Sequence, residues 1–299
     1  MTKTPDVVAQ LMPVSSTGWA NSMAARQNIG RVVVLTILIL AVIFATFPIL
    51  WAVTTSLKTM QENSAWPPTL IPKDLTFANY TDAILGTQFL RYLWNTLLVV
   101  AVSAIVSLLL AAHAAYAVAR WQFTGKNALL LLMWSTIMIP GVAIVVPLYL
   151  LAIDLRLYDT IWVLVFVFSA WAIPTLVWLL RGFVANIPRE LEEAALIDGC
   201  SVVGAFYRIT FPLMRPGLLA GSVLLFVMVW NEFLISYALV LSDKNRLVQV
   251  GVYYFVTEIG IQWGPLMAAA ITAIIPIVIV YALFQRAFIQ GVTAGAVKG

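Results

Sequence analysis

Few residues in this 299-residue chain are equipped for chemistry, and two of them stand inside long apolar stretches: the carboxylate of Glu232 and the imidazole of His113. A carboxylate at mid-membrane depth costs about 2.5–3.5 kcal/mol on insertion scales, so Glu232 is expected to face a bundle interior or lie near an interface. Two readings of it compete: with Trp230 and Asn231 it lines a polar path through the bilayer, or it makes a structural bond to a neighbouring span. His113 is followed by the small residues Ala114 and Ala115, which let helices approach closely. A packed, hydrogen-bonded imidazole is expected there rather than a ligand or proton relay. With one His and one Cys in all, this chain alone cannot build a disulfide framework or a His/Cys metal cluster. A phosphate-cradling loop needs Gly, four residues, then Gly-Lys-Ser/Thr; the nearest string, Gly125-Lys126-Asn127, lacks both the first Gly and the hydroxyl.

The densest polar signal lies in the segment 187–216, IPRELEEAALIDGCSVVGAFYRITFPLMRP. Pro188 suits a first helical turn, where its missing N–H costs nothing, and Glu190, Glu192 and Glu193 follow at the positive end of the helix dipole. Gly199 is placed to end that helix at positive φ. Ser201 can cap a second short helix that runs toward Ile209 and is closed by Pro212. Ala194 and Ala195 keep part of the first helix low, so that another protein's surface can come close. A plain solvated amphipathic loop is the competing reading.

The elements that must position these residues are membrane spans. Hydrophobic residues make up 62% of the chain and charged ones 10%, against about 45–50% and 25% in soluble domains. At about 1.5 Å per residue a helix needs roughly 20 apolar residues to cross a bilayer core. Six stretches meet that length: 32–57, 92–118, 127–152, 160–180, 216–241 and 265–284. The expected fold is therefore an all-α integral membrane protein with six transmembrane helices. Eleven Lys and Arg residues fall on the N-terminal side of the membrane and six on the other, which places both termini in the cytoplasm. Residues 1–30 read as a cytoplasmic tail, and they lack the order of features of a cleavable signal. Residues 58–91, with Pro67-Pro68, Pro72, Trp66, Phe77 and Tyr80, are expected to be a packed external structure, and 242–264 a second external loop. Pro140, Pro147, Pro174 and Pro276 are expected to kink spans.

On these residues a resemblance can be stated. Glu193-Ala194-Ala195, Asp198-Gly199, Phe206, Ile209 and Pro212 resemble the EAA loop of importer permeases of the ATP-binding cassette class. Ala115-Tyr116-Ala117-Val118-Ala119-Arg120 with Phe123, Gly125 and Lys126, Trp230-Asn231-Glu232-Phe233, and the ending Gln285-Arg286, Gly291 and 294–299 are similar to the carbohydrate-uptake branch, close to the maltose-type second permease subunit. The likeness covers roughly residues 32–299.

The resemblance implies a permease domain over 31–299 whose loop 184–215, between spans 4 and 5, is a coupling helix docking on a cytoplasmic ATPase dimer. Glu193 would bond to the ATPase, Ala194 and Ala195 would allow close packing, Gly199 would set the bend, and Asp198 and Phe206 complete the motif. It also implies a second homologous permease, a heterodimeric pathway, and an extracytoplasmic solute-binding protein met by the loop 257–263, with Glu258, Gln262 and Trp263 at its tips. Location would be the cytoplasmic (inner) membrane of a bacterium or archaeon. The solute would be a sugar, oligosaccharide or related polyol or sugar phosphate, with Trp230, Asn231 and Glu232 on its path. No cofactor belongs to this chain, since ATP and Mg would sit on the ATPase partner.

Two rival classes fit less well. An ion-coupled secondary transporter leaves the Asp198-Gly199 loop unexplained, and an intramembrane enzyme needs clustered catalytic groups that His113 alone does not supply. The basic residues lie at span ends rather than in one patch, so nucleic acid is not an expected partner.

Overall fold

The computed structural model describes the backbone of residues 16–296 and the side chains of residues 30–285. Residues 1–29 of the expected tail, and most of the C-terminal resemblance (Arg286, Gly291 and 294–299), lie outside the residues whose side chains are described. Two compact units divide the chain, Met1–Ala52 and Val53–Gly299. The first apolar stretch is carried by α1, Ser16–Ser56. This helix begins inside the segment read as a tail, so the boundary expected at residue 30 falls within continuous helix.

The second unit is helical almost throughout: α2 (Phe89–Arg120), α3 (Lys126–Ile137), α4 (Gly141–Asp154), α5 (Ile161–Ala185), α6 (Arg189–Ile197), α7 (Arg215–Trp230), α8 (Leu234–Leu239), α9 (Val248–Tyr253) and α10 (Trp263–Ala296). Four of the expected crossings, Gly30–Ser56, Phe89–Arg120, Ile161–Ala185 and Trp263–Gln285, are long and apolar enough to span a bilayer as single helices. The remaining two of the six are interrupted. The third stretch breaks between α3 and α4 with a bend of 97°. Pro140 stands at the N-cap of α4 in extended backbone, because its ring and missing N–H cannot continue α3. The fifth ends its long helix at Trp230 and resumes as α8 only after Asn231-Glu232-Phe233.

Close packing of small residues holds the bundle together. α2 lies along α5 over most of its length, with Ala111, Ala112 and Ala115 fully buried and Ser103 Oγ donating to the Val165 carbonyl at 3.3 Å. α7 packs against α2, α5 and α10. Where apolar tails of lipid and protein are alike, such close backbone approach supplies the association energy.

The segment expected to be packed, 58–91, is tied down by polar bonds, while the aromatics that suggested packing, Trp66 and Phe77, are 90% and 71% exposed. Asn79 Nδ2 donates to the carbonyls of Ser56 at 2.9 Å and Lys58 at 2.7 Å. Glu62 accepts from Thr69 Oγ1 at 2.6 Å and from the Lys73 amide, and the Thr69 bond chiefly holds its carboxyl below the usual range. Asp159, at φ 58° in the turn after α4, accepts from the amides of Leu241 and Ser242 and from Ser242 Oγ at 2.8–3.0 Å. Burial pushes that carboxyl up, but the Ser242 and Leu241 bonds and the Lys244 charge outweigh it and leave the carboxyl below its ordinary value.

Gly217 shows how tight the α5–α7 contact is, since a Cβ there would sit 2.6 Å from Cδ2 and Cγ of Phe183. Overpacking of this kind costs about 1–3 kcal/mol. Gly217→Ala is therefore expected to lower the thermal unfolding midpoint of the detergent-solubilised chain, and Gly182→Ala, where a Cβ meets open space, is expected to leave it nearly unchanged.

Candidate functional site

The cytoplasmic loop between α5 and α7 forms as its residues dictate at its first bend and differs beyond it. Gly199 ends α6 at φ 85°, and Ser201 caps the following turn by accepting from the Gly204 amide at 3.1 Å. The expected closure at Pro212 does not occur. A helical turn at Val202–Ala205 passes through a π-turn at Phe206–Thr210 into Phe211–Leu213, where Pro212 occupies a first-turn position that tolerates it. The chain then bends by 68° at Met214 into α7. Pro188 sits at the N-cap of α6 rather than inside its first turn.

One carboxylate holds this loop in place. Glu192 Oε1 accepts from Arg120 Nε at 2.9 Å and Thr210 Oγ1 at 2.7 Å and lies 2.7 Å from Arg120 Nη2 as an ion pair, while Oε2 accepts from Tyr116 Oη at 3.0 Å. Arg120 Nη2 also donates to the Ile187 carbonyl at 3.0 Å. The ionised side chains are 7% and 10% exposed. Such a buried pair is held by these added hydrogen bonds; deleting one partner leaves an uncompensated buried charge, at a cost of ~3–5 kcal/mol. One face of α2 supplies the bonds. His113, Tyr116 and Arg120 recur at i, i+3 and i+7, the period of a helical stripe, and His113 Nε2 shares a hydrogen bond of 2.8 Å with Tyr207 Oη. Between them Phe206 packs on His113 and Tyr116, with ring centroids 4.9 and 4.7 Å apart.

These contacts sort the expected coupling residues into two sets. Ala195 and Phe206 are buried in the chain's own packing, so Ala195 lets α6 approach its own bundle rather than offering surface to another protein. Glu193, Ala194, Asp198 and Gly199 are exposed, and beside them Ile197 is 85% exposed. Sequence reasoning missed the roles of Glu192, Tyr116 and Thr210. Two signals for them are present: Glu192 and Ala195 share one face of α6, and Tyr116 and Arg120 share one face of α2.

His113 is hydrogen-bonded, its Nδ1 paired with the Leu109 carbonyl at 2.7 Å, and although its ring lies against Phe206 the residue is exposed. Glu232 is not a bond to a neighbouring span. It lies at the break after α7, where its oxygens accept from the amides of Ile235 at 2.8 Å and Ser236 at 3.1 Å and from Ser236 Oγ. It thus caps α8 at the positive end of that helix. Trp230 is buried and stacked on Phe226 at 4.9 Å. Asn231 is exposed, bonds back to the Val227 carbonyl, and with Phe233 lines a cavity on each side of the break, of about 500 and 380 Å³.

In the loop before α10, Val256–Thr257 and Gly260–Ile261 pair as a short antiparallel hairpin. Its tip is Glu258-Ile259, with Ile259 99% exposed. Gln262 and Trp263 were expected at the tip; they stand instead at the hairpin's foot and the start of α10, because the Gln262 amide already bonds to the Phe255 carbonyl at 3.0 Å. There they line a cavity of about 270 Å³ with Met60, Asn79 and Asp82.

The second unit is thus a helical bundle with a loop between α5 and α7 anchored by side-chain bonds. Residues 105–294 match the family described as binding-protein-dependent transport system inner membrane component. The chain is 33% identical over 253 residues to the sulfoquinovosyl glycerol transport system permease protein SmoH of Agrobacterium fabrum, covering 85% of this chain and 89% of that one. It is 33% identical over 262 residues to the trehalose transport system permease protein SugB of Mycobacterium tuberculosis, covering 87% and 95%. Among solved structures, a chain of a bacterial ABC transporter involved in import of the acidic polysaccharide alginate superposes with a TM-score of 0.77 at 20% identity, over 87% of this chain and 97% of that one. The chain belongs to this family of binding-protein-dependent permeases: it is a carbohydrate-type ABC importer subunit, a transport component whose ATPase is a separate chain.

Loss of an N-terminal cap costs about 1 kcal/mol. Glu232→Ala should therefore lower the unfolding midpoint in detergent, and Glu232→Gln, whose carbonyl still accepts, should retain about half of the lost stability. Equal unfolding midpoints for wild type and both variants would remove the capping role.

Proposed function

We propose that this permease pairs with a second, homologous permease to form the pathway for a sugar, oligosaccharide or related polyol or sugar phosphate in a bacterial or archaeal inner membrane. An extracytoplasmic solute-binding protein delivers the solute to the folded outer loops, with Glu258, Gln262 and Trp263 near the contact. An ATPase dimer, carrying ATP and its magnesium, drives the cycle from the cytoplasmic side. The observation that carries this reading is the split character of the 187–214 loop. Its inner face is fixed to the bundle by a buried ion pair, while Glu193, Ala194, Asp198 and Gly199 stay exposed beside Ile197. An apolar knob flanked by two carboxylates suits a cleft that is apolar at its centre and basic or polar at its rim. The named solutes of the relatives, sulfoquinovosyl glycerol and trehalose, support the solute class. On the path, Asn231 is the exposed polar side chain beside both cavities at the α7–α8 break, with Trp230 and Glu232 shaping the break around it.

The assembled complex in nanodiscs, with its binding protein and a panel of sugars, tests the reading through ATP hydrolysis. The cognate sugar with binding protein is expected to stimulate the rate, and Glu193→Ala to reduce that stimulation several-fold by weakening ATPase docking. A rate indifferent to binding protein and sugar would contradict it.

A further inference from the structure

We propose that the Glu192–Arg120 ion pair is the element that passes motion of the ATPase-facing loop into the bundle, and that it delivers that motion to α2 and to the start of α7 together. This rests on the importer reading above and adds to it which side chains carry the stroke. Docking and transmission are then separate tasks on adjacent residues of α6: Glu193 faces outward, Glu192 inward.

The geometry supports the division. The covalent connections of the loop run to α5 through Asn186–Pro188 and to α7 through Met214, and neither is a rigid continuation of helix. The first is a non-helical turn ahead of an extended Pro188, and the second is a 68° bend. A push on α6 transmitted only through these joints would be taken up as rotation at them. The side-chain bonds bypass the joints. Glu192 is tied to α2 through Arg120 and Tyr116 and to the 206–213 segment through Thr210. Arg120 also holds the Ile187 carbonyl on the α5 side. A second tie, His113 to Tyr207, lies two turns along the same face of α2. Two attachment points on one helix face resist both translation and tilt, whereas one alone would act as a pivot.

Arg120 meets Glu192 Oε1 with both Nε and Nη2, a charge-assisted contact of the stronger kind, and both side chains are largely buried. Stretching this pair separates two largely buried opposite charges, so displacement of the whole unit is favoured over opening of the pair. α2, in turn, makes the most extensive helix contact of the fold, with α5, and also contacts α7, so a displacement given to Arg120 reaches most of the second unit.

The test uses the assembled complex in nanodiscs and reads two quantities: co-purification of the ATPase with the permease, and the ratio of ATP hydrolysis with and without sugar-loaded binding protein. Glu192→Gln and Arg120→Met are expected to retain the ATPase but to lose stimulation at least tenfold. The milder Tyr116→Phe and Thr210→Val, each lacking one bond to Glu192 and no charge, should lose it by smaller, graded factors with unfolding midpoints near wild type. Glu193→Ala should instead raise the ATPase concentration needed for assembly. Full stimulation in Glu192→Gln overturns the proposal, and so does a loss of ATPase binding that parallels the loss of stimulation. Wild type serves as the control on the underlying reading: if wild-type complex itself shows no stimulation, it is the importer assignment that fails.

Discussion

The buried Glu192 carboxylate is the point on which the cytoplasmic half of this molecule depends, because four separate stretches of chain meet at its two oxygens and at the guanidinium that neutralises it. α2, the turn leading into α6, α6 itself and the π-turn before α7 converge there. A loop of mixed polarity between two membrane spans would ordinarily be mobile on its surface connections. Here the cost of leaving either charge unpaired out of water makes the bonded arrangement the only low-energy one, and a short amphipathic helix becomes a fixed part of the bundle. The same economy of polar groups recurs at the other breaks: Glu232 answers the free amides of α8, and Asp159 gathers the amides at 241–242.

Glu232 and Asp159 each sit where a helix stops or the chain turns. Lipid offers nothing to an open backbone amide, so an interruption in a span must bring its own acceptor. In the fifth crossing that requirement explains why a carboxylate lies within an apolar stretch at all. The interruption then leaves Asn231 and Phe233 between two cavities, so one local device both satisfies the backbone and shapes the space beside it.

Much of the architecture was legible in the residues. The six apolar stretches and the charge bias follow from composition and period, and the Gly199 bend and Ser201 cap follow from backbone preference, because each depends on neighbours within a few positions. What was not legible depends on distant partners. Glu192 and Glu193 look alike in a helix written as letters; only the approach of Arg120, 72 positions away, makes one an internal strut and leaves the other at the surface. The same holds for Ala194 and Ala195, and for Phe206, buried by His113 and Tyr116. The right-angle break at Pro140 was signalled by the proline, but its size was not, since a proline can equally bend a span slightly. Gln262 and Trp263 were displaced from the expected tip by a two-residue strand pairing too short to show a period.

The central claim is that α6 and the cytoplasmic end of α2 move as one body. The most direct measurement is a distance distribution between spin labels by pulsed electron resonance, one label on the native Cys200 just past α6 and one on Gln122→Cys just past α2, in the complex with and without ATP. An unchanged, narrow distance in both states, while a label pair from Cys200 to the far end of α10 shifts, is the result this account predicts. A Cys200–Gln122 distance that changes between states would contradict it, for the loop would then be sliding on the bundle instead of carrying it.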